Sequence, residues 1–153
     1  MGFTIETISV WIKPNSSSSG LIWGPWVNGV DNGFGVSGSK AWFWGCQSAD
    51  TNEFSIYSTT TLTNEDWWHI AATIDGPTAK IYVNGVEEAT ITRTYDIAAW
   101  GGSATTIGKR GGGGSQLFYN GEIAILAVYD KVLTEEQIKQ NFVAHKTLYG
   151  VGV

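Results

Sequence analysis

The chain has 153 residues, enough for one domain that buries about 70% of its unfolded surface. It carries 14 acidic and 9 basic residues, for a net charge of −5, with no Lys/Arg cluster, which argues against a nucleic-acid partner. No apolar run reaches transmembrane length, no charged-then-apolar leader opens the chain, and the single cysteine, Cys46, excludes an intrachain disulfide.

Abundant Gly, scarce Pro, and frequent Thr, Ile and aromatic residues suit many short strands joined by tight turns. The first predicted strand lies within residues 3–14, FTIETISVWIKP, and a polar loop, NSSSSG, follows at 15–20. Residues 21–26 and 33–38 read as strands joined by a Gly/Asn/Asp turn. Residues 40–45, KAWFWG, alternate, with Ala41 and Phe43 on one face and Trp42 and Trp44 on the other. After a polar loop at 48–52, another strand runs over 53–57.

The clearest pattern is WWHIAATIDGPTAKIYVNGVE at 67–87. Trp68, Ile70, Ala72 and Ile74 share one face of the first run, and Trp67, His69, Ala71 and Thr73 the other. In the second run Ile81 and Val83 oppose Lys80, Tyr82 and Asn84, as expected of half-buried antiparallel sheet. Asn84-Gly85 is a strong hairpin signal, because both central residues of a type I′ turn need positive φ. The glycines at 111–114 lack the Lys-Ser/Thr of a phosphate-binding loop and read as a loop. Residues 122–129 are apolar on both faces: Ile123, Ile125 and Ala127 on one, Ala124, Leu126 and Val128 on the other. Such a strand is expected to be central and covered. A helix starts after Thr134, which has capping-box spacing to Gln137; Glu135 and Glu136 suit its positive end.

These segments resemble, in order, the concanavalin A-like lectin/glucanase superfamily in its laminin G-like branch. The W-hydrophobic-K-P ending of the first strand, the W-x-H-hydrophobic-A strand leading into Y-V-N-G, the late TIG and FYNGEIAILAVYD runs, and the closing LTEEQIKQNF helix carry the likeness. The resemblance implies an all-β jelly-roll sandwich of two antiparallel sheets with one short C-terminal helix, spanning 1–153 as a single domain. It also implies that Trp11 and Trp67 are buried and His69 structural. The family's usual extra first strand, with its F-D-G-x-x-D-Y pattern, has no counterpart here. The ending KQNFVAHKTLYGV is similar to the tails of laminin G-like domains in phage virion proteins.

Catalytic patterns are absent. The E-x-D-x-x-E triplet of the glucanase branch does not occur. Glu65-Asp66 and Glu87-Glu88 are adjacent pairs, whose members point to opposite faces on a strand. His69 and His145 have no Cys, second His or carboxylate at metal-ligand spacing, and no G-x-S-x-G elbow appears. The chain is therefore expected not to be an enzyme.

Aromatic excess remains, with eight tryptophans. Trp42 and Trp44 either form a flat pair on which sugar rings stack or fill the space between the sheets. Trp26 and Trp100 adjoin Gly-rich turns, and loop tryptophans are harder to explain as core. The expected ligand-binding residues are Trp26, Asp31, Asn32, Trp42, Trp44 and Trp100. The family likeness also implies calcium as a possible cofactor, held by the oxygens of Asp31-Asn32 and Asp50-Thr51-Asn52, although Asx turns explain the same residues; no cofactor is the leading expectation. The expected function is glycan recognition or adhesion, extracellular or on a virion surface. The rival is a structural surface or decoration protein whose partner is a neighbouring protein chain. No membrane insertion is expected.

Overall fold

A computed structural model of the chain describes residues 5–15, 19–27, 30–45, 54–94, 96–97, 105–110 and 117–152, and the side chains of all of these except 25–27 and 30–31. The strands are β1 (Thr7–Pro14), β2 (Gly20–Val27), β3 (Val30–Asp31), β4 (Gly33–Ser37), β5 (Lys40–Gly45), β6 (Phe54–Tyr57), β7 (Trp68–Asp75), β8 (Thr78–Val83), β9 (Val86–Thr92), β10 (Thr105–Ile107) and β11 (Gly121–Tyr129). Helix α1 (Glu135–His145) and a 3-10 helix (Lys146–Tyr149) follow.

One sheet runs β11-β1-β7-β8-β9, and the other β10-β2-β4-β5-β6, with the short β3 paired to β2 off that path. Among the described residues the named strands pair antiparallel, and the architecture is a jelly-roll sandwich with a short C-terminal helix. Alternation builds the main core: Ile8, Val10 and Ile12 of β1, and Ile70, Ala72 and Ile74 of β7, meet Phe34, Val36, Ala41 and Phe43 from the facing sheet. The β8–β9 hairpin turns at Asn84 (φ 49°) and Gly85 (φ 81°), as an Asn-Gly pair should.

The first sheet departs from half-burial. Its outer face is covered too: Ala71, Tyr82, Leu133 and Ile138 form a second apolar cluster beneath α1. The Thr7 hydroxyl pins the approach to α1, donating to the Lys131 carbonyl (2.8 Å) and accepting from the Leu133 N–H (3.0 Å). Thr134 caps the helix by accepting from Gln137 N–H, and the Gln137 side chain accepts from Thr134 N–H in return. Trp11 is 1% exposed, yet it lies on this outer face and not between the sheets. Its indole stacks on Tyr149 (4.5 Å between ring centroids) and Phe142 (5.7 Å).

Strand β11 differs from the expectation of a central strand. Among the described residues it has β1 on one side and no strand on the other. A bulge also breaks its alternation. Ala124 pairs with Trp11 and Ala127 with Ser9, so β11 holds one residue more than β1 over this step. Ile125, at φ 47°, takes up the extra residue and is 44% exposed. Ile123 consequently packs on the core side together with Leu126 and Val128.

Candidate functional site

The outer face of the second sheet carries an aromatic array. Ala41 and Phe43 of β5 are fully buried in the core, so alternation sends Trp42 and Trp44 outward, where both are half-buried. This settles their orientation: neither fills the space between the sheets. Trp42 lies directly across from Tyr57 of β6, which is 44% exposed. The Trp42 and Trp44 rings are nearly parallel (9°) with centroids 5.8 Å apart, and Trp42 and Tyr57 are nearly parallel (12°) at 6.4 Å. Such separations are those of offset rings, which leave part of each face uncovered. The indole N–H of Trp42 reaches the Ser55 hydroxyl at 3.4 Å.

Glycines on β4 shape the ground beside this array. Gly33 is paired with Trp44, and Gly35 with Trp42. A Cβ at Gly33 would stand 2.9 Å from the Trp44 ring and 2.8 Å from the Leu21 side chain, so glycine lets the indole lie close to the strand. At the Trp44 end the Arg110 guanidinium sits 5.3 Å from the ring centroid, within cation–π range. Lys40, on the same face of β5, donates to the carbonyls of Ser58 (3.0 Å) and Thr59 (2.9 Å). The array therefore offers a strip of π surface edged by hydroxyl groups and a guanidinium.

The other expected site residues distribute as follows. In the β2–β3 pairing Trp26 is opposite Asp31, and the chain continues into Gly33 beside Trp44, so register brings this hairpin to the Trp44 end of the array. The Trp26 and Asp31 side chains lie outside the described set. Asn32 is 3% exposed and packs against Gly45, so its side chain is held inside the fold. Trp100, Cys46, Asp50, Thr51 and Asn52 lie outside the described residues. Tyr57 and Arg110 are additions that sequence reading missed; the alternation of 54–57 carried a signal for the first, while Arg110 arrives from a distant segment.

The acidic pairs do not converge. Glu87 pairs with Lys80 at 2.8 Å, whereas Glu88 accepts from Thr59 and Thr60; Glu65 lies 3.9 Å from Lys13, whereas Asp66 accepts from the Thr63 hydroxyl. Among the described residues, no group of three His, Cys, Asp or Glu side chains could hold a metal. A Ser–His contact does occur, with Ser9 Oγ and His69 Nε2 at 2.8 Å. It lies on the covered face under α1, with Ser9 4% and His69 1% exposed, and no described group bonds Nδ1. Burial, and then the nearby His145, depress the His69 pKa to about 4, so the imidazole is neutral at pH 7. The pair holds β1 to β7 and is closed to a substrate.

A family model described as the concanavalin A-like lectin/glucanases superfamily matches residues 3–139. The chain belongs to this superfamily. No curated protein sequence matches it. Among solved structures, the superfamily member is similar to a heptameric SAP-like pentraxin from Limulus polyphemus, at 22% identity, covering 90% of this chain and 69% of that one, TM-score 0.68. It is also similar to domain 4 of AbnA, a GH43 extracellular arabinanase from Geobacillus stearothermophilus, in complex with arabinotriose. That likeness has 19% identity, covers 91% of this chain and 66% of the other, and has a TM-score of 0.71. The CBM40 of Ruminococcus gnavus IT-sialidase, bound to α2,3 sialyllactose, matches at 12% identity, covering 92% and 84%, with a TM-score of 0.73. At these identities the likeness concerns the fold. No described helix is long and apolar enough to cross a membrane.

Proposed function

We propose that the chain is a non-catalytic carbohydrate-binding domain that contacts a glycan across Trp42, Trp44 and Tyr57. The observation that carries this reading is the outward-facing array of near-parallel rings, half-buried at Trp42 and Trp44 and exposed at Tyr57, on a sheet face whose inward neighbours, Ala41 and Phe43, already complete the core. Core packing does not require three aromatic side chains on that outer face. Sugar rings present apolar C–H faces that stack on such surfaces, while Ser55 and Arg110 lie within reach of hydroxyl groups. The fold neighbours named for arabinotriose and sialyllactose support the same class of ligand. Trp26, Asp31 and Trp100 extend this site, and an extracellular setting fits it; if calcium binds, the oxygens of Asp31-Asn32 and Asp50-Thr51-Asn52 are its donors.

The test is affinity electrophoresis against a panel of plant, bacterial and animal polysaccharides, with calcium and with chelator. Retardation by at least one polymer is expected. Trp42→Ala and Trp44→Ala should each weaken it by about fivefold or more, since ring contacts are worth about 1 kcal/mol, with little change in melting temperature. Binding that survives the double substitution intact overturns the assignment of the face.

A second reading is an assembly role, and the observation that favours it is the β11 edge. Its outer backbone has no strand partner among the described residues, beside the exposed Ile125. A neighbouring chain, in a homo-oligomer or on a virion surface as the C-terminal resemblance implies, would cover that edge. The two readings are compatible, because β11 and the aromatic array lie on different sheets.

A further inference from the structure

We infer that the domain holds a second saccharide site, on the opposite side of the sandwich from the Trp42–Trp44 array. A cleft of about 320 Å³ opens where the segment before β7 meets the C-terminal turn, lined by Thr63, Asp66, Trp67, Asn84, Tyr149 and Gly150 among others. That volume lies at the low end of the range for ligand pockets, about 300–1,000 Å³, and suits a single sugar unit.

Trp67 was expected in the core, and it is only half-buried. Its ring meets Tyr149 at 4.6 Å with a tilt of 43°, so the two rings form an angled aromatic wall and do not close on each other face to face. Tyr149 is itself fixed from behind by its stack on Trp11. The wall therefore needs no rearrangement to accept a ligand, and the ordering cost of binding falls accordingly.

Polar groups complete the cleft. Asp66 accepts from the Thr63 hydroxyl through one carboxylate oxygen, and its other oxygen has no partner among the described residues. Asn84 uses its side-chain oxygen to accept from the His69 N–H (3.1 Å), which fixes the amide and leaves its nitrogen as a donor. An anchored aromatic wall facing a carboxylate and an amide donor matches a sugar ring, with one C–H face and hydroxyl groups that both donate and accept. The Asp66 charge disfavours a second anion, so the ligand is a neutral sugar. With two sites on opposite outer faces, one copy of the domain can bridge two glycan strands.

The inference goes beyond the proposed function and is tested separately from it. Indole N–H signals of the protein are followed by NMR, with Trp42, Trp44 and Trp67 assigned through single substitutions. The probes are millimolar xylohexaose, mannohexaose, cellohexaose, arabinohexaose and trigalacturonate. The expected result is a saturable shift of the Trp67 signal with at least one neutral oligosaccharide and none with trigalacturonate. It should persist in the Trp42→Ala/Trp44→Ala protein. Asp66→Ala should weaken it about tenfold, the loss expected for a hydrogen bond to a charged group, and Asp66→Asn should restore part of it. If Trp42 and Trp44 respond while Trp67 stays still with every probe, this site falls and the array stands. If Trp67 alone responds, the array falls and this site stands. Silence at all three positions overturns both.

Discussion

Single residues separate core from surface most clearly among the tryptophans. Trp11 is enclosed by His69, Phe142 and Tyr149, so Trp11→Ala leaves a cavity under α1 and should cost about 3–5 kcal/mol in chemical denaturation. Trp42 and Trp44 are half-buried on an open face and their loss should leave stability nearly intact. His69 supplies a second residue-level prediction. Its folded pKa, about 4, lies below the unfolded value of 6.5, so the unfolded chain takes up the proton first as pH falls. The domain should therefore be fully stable with respect to this group above pH 6.5. It should lose on the order of 3 kcal/mol between pH 6.5 and 4, at about 1.4 kcal/mol per pH unit of separation. Urea titrations across that window check the slope, and His69→Gln, which can still bond Ser9, should flatten it. An unchanged slope would count against the neutral buried imidazole.

At the scale of elements, β11 poses the sharpest question. The sequence reads it as a covered strand because both faces are apolar. The structure satisfies those faces differently: Ile123, Leu126 and Val128 pack against the core, and Ala127 and Tyr129 line the space beneath α1. Partial cover on both faces thus comes from sheet packing and from the helix, and an edge position is compatible with it. The bulge at Ile125 also makes the edge irregular, one of the ways natural proteins discourage edge pairing. If a neighbouring chain nevertheless covers this edge, sedimentation should show an oligomer, and Ile125→Lys should dissociate it by placing a charge in the contact. A monomer at high concentration removes the homo-oligomer and leaves the aromatic array untouched.

For the whole molecule, the prediction concerns chemistry. A glycosidase needs two carboxyl groups about 5–10 Å apart, facing one bond. Here Glu87 and Glu88 serve different partners, as do Glu65 and Asp66, and the Ser9–His69 contact is sealed under α1. Incubation with β-glucans, alginates and pectins should release no reducing ends. Release that a single Glu or Asp substitution abolishes would reverse the non-catalytic reading.

The pattern of residues 67–87, the Asn84-Gly85 turn, the alternation of 40–45 and the Thr134 cap were legible because each depends on neighbours within a few positions. Local periodicity dictates which side chains share a face, and the family likeness extended that to the order of strands. Periodicity does not say which face turns inward. Trp42 and Trp44 could be placed outside only once Ala41 and Phe43 were seen in the core, a decision made by the facing sheet. The same holds for Trp11 and Trp67, whose surroundings are built by a helix and a turn that follow more than 60 residues later. Arg110 beside Trp44, Tyr149 beside Trp67 and the extra residue in β11 are likewise long-range results. Sequence alone thus determined most of the strands, the helix and the stock of aromatic rings, though not β3, β9 or the 3-10 helix; the packing of two sheets and a helix decided which of those rings stayed outside the core.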